Sequence, residues 1–124
     1  QLYVPPRDIE KILNSFNEDQ ELTNIGTIEE KILLFCDIRE FTNISEKLQP
    51  SEVVSLLNSY FHKFNAIIID NGGVIDKLIG DCIMARFDAD KAKEAITTAL
   101  EMRDGLISFN EERKKARLKP IAHG

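Results

Sequence analysis

Ile32-Leu-Leu-Phe-Cys-Asp-Ile-Arg-Glu-Phe-Thr42 reads as a short apolar run that passes through Cys36, ends on the carboxylate of Asp37 and then turns polar. An uninterrupted apolar run of this length suits a buried strand. A carboxylate at the carboxyl end of such a strand lies where open α/β sheets place ligand chemistry. Further along, Lys77-Leu-Ile-Gly-Asp-Cys-Ile-Met-Ala-Arg-Phe87 carries a second carboxylate, Asp81, between two more apolar runs. If these runs are neighbouring strands, the two aspartates form a divalent-cation site.

Working outward, Phe41, Ile44 and Leu48 are spaced for a short helix over Arg39 to Leu48, which Pro50 interrupts. Ser51 is the expected N-cap of the next helix, with Glu52 in its first turn. Val53, Leu57, Tyr60, Phe61, Phe64 and Ile68 then mark one apolar face of a long helix, with His62 off the stripe and facing solvent. Asn71-Gly-Gly73 supplies the glycines of a left-handed C-cap. Val74 to Ile79 and Cys82 to Phe87 read as two strands of a hairpin turning at Gly80-Asp81. From Asp90, the residues Ala92, Ala95, Ile96, Ala99, Met102, Leu106 and Phe109 mark a second long helix with a charged end, closed by Pro120. Ile121-Ala-His-Gly124 can begin another strand.

The resulting order is the βαββα start of a ferredoxin-like α+β unit. In that topology the first and third strands are neighbours, so Asp37 and Asp81 face one another. Without a full fourth strand the first strand keeps an exposed edge, and self-association is expected. Upstream, Ile9, Ile12, Leu13 and Phe16 suggest a short helix, and Asn24-Ile-Gly26 a turn. Residues 1–28 thus read as a linker and residues 29–124 as the domain.

Composition restricts the partners. A chain of 124 residues has room for one core, and a net charge of −5 argues against general binding to nucleic acid or anionic membranes. No stretch is long and apolar enough to span a bilayer. The start at Gln1 leads us to expect a cytoplasmic piece of a longer protein, a membrane-anchored parent remaining compatible. Cys36 and Cys82 are too few for a structural zinc site and are expected to be reduced core residues, with a redox pair open if the sulfurs meet.

Two carboxylates held close repel each other and favour a cation. Hard oxygen donors suit Mg²⁺ or Mn²⁺, and substrate phosphates commonly complete their coordination. Amides of the turn from Ile38 to Thr42, opening a helix, are suited to cradling phosphate.

Phe35-Cys-Asp-Ile-Arg-Glu-Phe-Thr42, Leu56-Leu-Asn-Ser-Tyr-Phe61, Asn71-Gly-Gly-Val-Ile-Asp-Lys-Leu-Ile-Gly-Asp81 and Met84-Ala-Arg-Phe87 together resemble class III nucleotidyl cyclases. The resemblance runs from about Lys31 to Phe109, and Tyr3-Val-Pro-Pro6 resembles the segment joining such domains to an upstream sensory module. It implies two divalent cations, Mg²⁺ or Mn²⁺, on Asp37, Asp81 and the Ile38 carbonyl. It also implies a triphosphate loop of Arg39, Glu40, Phe41 and Thr42. Lys77 matches the lysine that reads adenine from the second subunit of a homodimer, which points to ATP as substrate and cyclic AMP with pyrophosphate as products. The helix over 51–69 and the hairpin over 74–87 would face the partner subunit.

The pattern departs in two places. Glu40 stands where the family's loop commonly has glycine, which phosphate binding tolerates unless the backbone needs a positive φ. The transition-state asparagine and arginine are expected beyond Gly124, so little activity is expected of these residues alone. Three other readings are a guanylate cyclase, a diguanylate cyclase and a non-catalytic nucleotide-sensing or dimerisation module descended from cyclases. The diguanylate motif is missing from the hairpin, and both aspartates are present.

Overall fold

A computed structural model describes residues 28–124. The chain partitions after Glu30, and the account below concerns Lys31–Gly124. The expected helix over Ile9 to Phe16 and the turn at Asn24 lie outside the described residues. The elements are β1 (Lys31–Cys36), α1 (Phe41–Glu46), α2 (Pro50–Asp70), β2 (Val74–Ile79), β3 (Cys82–Asp88) and α3 (Ala92–Lys115). No helix among the described residues is long and apolar enough to cross a membrane.

The three strands form one antiparallel sheet in the order β1-β3-β2. β1 and β3 pair from Lys31↔Asp88 to Cys36↔Ile83 without a shift. Period-two alternation puts Cys36, Ile83, Ala85 and Phe87 on a buried face, with Ile32, Leu34 and Ile75 packed beside them. Helices α2 and α3 cover that face with Leu56, Tyr60, Phe64 and Ile68 from the first and Ala95, Met102 and Phe109 from the second. The opposite face is open: Leu33, Phe35 and Val74 are 51%, 58% and 48% exposed.

Three local expectations are corrected. Gln49, not Ser51, caps α2: its carbonyl accepts from the Glu52 amide at 2.9 Å and the Glu52 carboxylate accepts from the Gln49 amide at 3.1 Å. Pro50 then occupies the first helical position, where its missing N–H costs nothing and its fixed φ fits the helix. The buried row of α2 is Leu56-Tyr60-Phe64-Ile68, an i+4 ridge on the sheet, with Val53, Leu57 and Phe61 as half-buried flanks. In α3, Ile96 is 63% exposed and Thr98 is buried in its place, its Oγ1 donating to the Glu94 carbonyl at 2.7 Å. Ala95 and Ile96 are about 100° apart round the helix, so only one of them can face the core.

The end of α2 agrees with the glycine pattern. Gly72 takes φ +85, and the amides of Gly73 and Gly72 close back onto the carbonyls of Ile68 (2.9 Å) and Ile69 (3.0 Å). Gly73 is demanded by packing, since a Cβ there would lie 2.7 Å from both Ile68 Cγ2 and Phe87 Cζ.

Residues 122–124 lie along the continuation of β1. The Arg39 amide donates to the Ala122 carbonyl at 2.8 Å, and the Asp37 and Gly124 amides each donate to the other's carbonyl at 3.0 Å. The expected strand therefore begins there, as a bridge between Ile38 and His123. Lys31–Cys36 itself remains the edge of the sheet.

Two outcomes follow from this architecture. Gly73→Ala forces Ile68 and Phe87 apart and is expected to lower stability by about 1–3 kcal/mol in chemical denaturation. With an unpaired edge beside an open apolar face, the chain is expected to self-associate. Sedimentation that stays monomeric at high concentration would contradict this.

Candidate active site

The uninterrupted β1–β3 register carries the end of β1 to the turn of the hairpin. Gly80 takes φ +57 at the first central position of that turn, a conformation open to glycine, and Asp81 follows it. Asp81 Oδ2 accepts the Ile38 amide at 3.0 Å. The two aspartates predicted to face one another are thus joined through the backbone next to Asp37. Asp37 is exposed and Asp81 half-buried, while the Ile38 side chain is buried in the core. Since Ile38 occupies the position in its bridge to His123 that exchanges no ladder bond, its N–H and C=O both point toward the Asp81 side.

Cys82, the next residue along, belongs to the same neighbourhood. Its thiol pKa is raised, by burial first and then by the negative charges of Asp37 and Asp81. The redox reading of the two cysteines fails, because alternation puts Cys36 on the buried face and Cys82 on the open one. Both are free.

Among the described residues no three His, Cys, Asp or Glu side chains converge as a metal cage. The candidate donors at this strand end are two carboxylates and a backbone carbonyl. These hard oxygens at an exposed strand end fit a Mg²⁺ or Mn²⁺ ion that draws its remaining ligands from water and phosphate. They do not fit a closed structural site.

The turn that follows is divided. The amides of Ile38 and Arg39 are already engaged by Asp81 and Ala122. The amides left without helical partners are those at the start of α1, from Phe41 and Thr42 onward. Phe41 is half-buried and packs against the core, which anchors the loop, while Arg39, Glu40 and Thr42 are exposed. α1 is shorter than the Arg39 to Leu48 expected, because Glu40 adopts φ 55, ψ 34 and the helix starts only after it. The condition attached to the glycine replacement is therefore met: this position does take a positive φ, and it carries a glutamate.

Lys77 reaches the open face through an irregularity. Strict alternation from Val74↔Arg86 would pair residue 77 with Ile83, on the core side. A register shift between Ile75 and Lys77 sets Asp76 out of the ladder and pairs Lys77 with Met84, which in turn lies opposite Phe35. Lys77 and Asp37 thus share the open face, two strand spacings or about 10 Å apart across the sheet.

Sequence reasoning missed the buried polar chain behind Asp37. Tyr60 Oη lies 3.2 Å from Cys36 Sγ and 2.8 Å from His123 Nδ1, and His123 Nε2 lies 3.1 Å from the Met102 carbonyl. Burial raises the pKa of Cys36 and Tyr60 and lowers that of His123, so all three are neutral at neutral pH. Tyr60 had the spacing of an ordinary core aromatic, and nothing in its neighbours signalled a hydroxyl partner.

The sequence profile of the adenylate and guanylate cyclase catalytic domain matches residues 24–120. The chain belongs to that family. It is 39% identical over 111 residues to an adenylate cyclase of Anabaena cylindrica, covering 90% of this chain and 22% of that protein. It is 45% identical over 65 residues to the terminal-differentiation-specific adenylate cyclase of Dictyostelium discoideum, covering 52% of this chain and 3% of that protein. Among solved structures, the guanylyl cyclase Cya2 superposes with a TM-score of 0.71 at 35% identity, covering 79% of this chain and 54% of that one. The adenylyl cyclase CyaB from P. aeruginosa gives 0.69 at 29% identity, covering 76% and 55%. The chain thus spans about half the length of these solved cyclases and under a quarter of the named curated relatives.

In this cyclase domain Glu40 bears the cost of a left-handed backbone on a residue with a Cβ. Glu40→Gly is expected to raise stability by about 1 kcal/mol, read as a higher denaturation midpoint. An unchanged midpoint would show that the loop does not hold that conformation.

Proposed function

We propose that this chain contributes the cation-binding and triphosphate-binding part of an adenylate cyclase, which converts ATP to cyclic AMP and pyrophosphate. The observation that carries the proposal is the bond from the Ile38 amide to Asp81 Oδ2, which gathers both aspartates at one strand end. Asp37, Asp81 and the Ile38 carbonyl would hold one or two Mg²⁺ or Mn²⁺ ions. Such ions, when bound, neutralise phosphate charge and make the attacking hydroxyl a better nucleophile.

The chain's own groups have separable tasks. Asp81 is pinned by the Ile38 amide, so its remaining oxygen is presented with little freedom to lose on binding. The free amides at the start of α1, with Arg39 beside them, face the triphosphate. Thr42 adds a hydroxyl, and Phe41 anchors the loop to the core. In the reaction the ribose 3′-hydroxyl oxygen bonds to the α-phosphorus as the bond to pyrophosphate breaks. Holding the triphosphate in line is the part these residues perform.

Lys77 selects the base. An ammonium can only donate, which suits the N1 acceptor of adenine and not the N1 donor of guanine. Guanylyl cyclase Cya2 shares the fold, so the fold leaves the nucleotide open and the base contact decides it. Lying about 10 Å across the sheet from Asp37, Lys77 would serve the site of a second subunit. The open face carrying both residues is then where two cyclase domains meet.

Isothermal titration with Mn²⁺ and a non-hydrolysable ATP analogue tests the reading. Asp37→Ala and Asp81→Ala are each expected to weaken binding at least about tenfold, the scale of losing a charged ligand contact. Affinity indifferent to both substitutions would sink the proposal.

A further inference from the structure

Asp37 extends from a strand end that is gripped on two sides by groups meeting at a single oxygen. Cys36, immediately before Asp37, contacts Tyr60 Oη at 3.2 Å. His123 contacts the same oxygen at 2.8 Å through Nδ1. The residues flanking His123 are those whose carbonyls accept the Arg39 and Asp37 amides, Ala122 at 2.8 Å and Gly124 at 3.0 Å.

The proton positions follow from the partners. The Met102 carbonyl can only accept, so His123 Nε2 carries the hydrogen. The neutral ring then accepts at Nδ1, Tyr60 donates its O–H there, and the Cys36 S–H donates to the Tyr60 oxygen. The chain is fully satisfied and runs in one direction, from the strand bearing Asp37 to helix α3.

Packing alone does not call for this hydroxyl. The Tyr60 ring is fully buried, with ring centroids 4.7 Å from Phe64 and 6.0 Å from Phe109 and Phe61. Phenylalanine would make the same contacts. A buried hydroxyl costs free energy unless it is bonded, and here it makes two bonds, both to the segments on either side of Asp37. Its oxygen also lies within electrostatic reach of both Asp37 and Asp81.

We propose that the Tyr60 hydroxyl is a positioning group for the cation site, clamping Cys36 and His123 so that the backbone at Asp37 and Ile38 is held in place to present its oxygens. The effect on cation affinity rests on the metal reading above; the clamp itself does not.

The test uses Tyr60→Phe in the full chain, with Mn²⁺ alone as the probe. Hydrogen exchange of the Asp37 and Arg39 amides is expected to accelerate about fivefold, the scale of one lost hydrogen bond, while Ala85 and Phe87 amides in β3 stay unchanged. Unaltered exchange at Asp37 and Arg39, or equal acceleration throughout the sheet, overturns the clamp whether or not a cation binds. Mn²⁺ affinity, followed by the loss of free-ion paramagnetic signal, is expected to fall about fivefold as well. Cys36→Ser, which keeps a donor to Tyr60, is expected to retain affinity where Cys36→Ala loses it. If Tyr60→Phe binds Mn²⁺ as tightly as the native chain while Asp37→Ala does not bind, the positioning role is wrong and the metal reading stands. If the native chain itself binds no Mn²⁺, the metal reading fails and the exchange data alone decide the clamp.

Discussion

The hydrogen bond between the Ile38 amide and Asp81 Oδ2 exists only because β1 and β3 pair in one register. A slip of one residue would turn Ile83, Ala85 and Phe87 outward and carry the turn away from the end of β1. What enforces the register is the buried face, where Ile32, Leu34 and Cys36 alternate against that trio under two helices. The ion pair between Lys31 and Asp88 closes the far end at 2.6 Å, but both side chains are well solvated. A pair of that kind contributes little next to the burial of several aliphatic and aromatic side chains. The site is therefore a by-product of core packing: the hydrophobic face sets the register, and the register sets where the carboxylates meet.

The parts of this arrangement that were legible in the sequence are those governed by short-range periodicity. The apolar run ending at Asp37, the hairpin around Gly80 and Asp81, and the glycines after α2 each follow from local chain physics. The element order then left β1 and β3 as neighbours. The position of Lys77 was not legible in the same way. Its place on the open face depends on a bulge at Asp76, which is stabilised by the pairing with β3 and an Asp76–Arg86 contact at 3.3 Å. No local pattern announces such a shift, and alternation alone puts Lys77 in the core. The Tyr60 chain is a second case. It joins β1, α2, α3 and the segment after α3, elements far apart in sequence, so spacing within one helix carries no trace of it. The α2 cap was misplaced for a smaller reason: Ser51 has the stronger intrinsic preference, but Pro50 is preorganised for the first helical turn and moves the cap back to Gln49.

Among the described residues the sheet has two apolar faces and only one layer of helices. The uncovered face carries Leu33, Phe35 and Val74, and among them Asp37 and Lys77. On a single copy Asp37 is exposed while the Lys77 ammonium is shielded from solvent, and charges two strands apart interact only weakly while water reaches one of them. The same charges under a second layer interact several times more strongly, because the effective dielectric falls. If the domain holds a triphosphate and discriminates one ring nitrogen as proposed, it gains most from keeping those groups on the face that association would cover. The apolar residues around them supply the driving force for that covering, and the buried clamp at Tyr60 keeps Asp37 in place beforehand. On the proposed reading, association would do two jobs: it would bring in Lys77 as the base-reading group, and it would remove the water that otherwise screens contacts made by Asp37, Asp81 and the loop of α1.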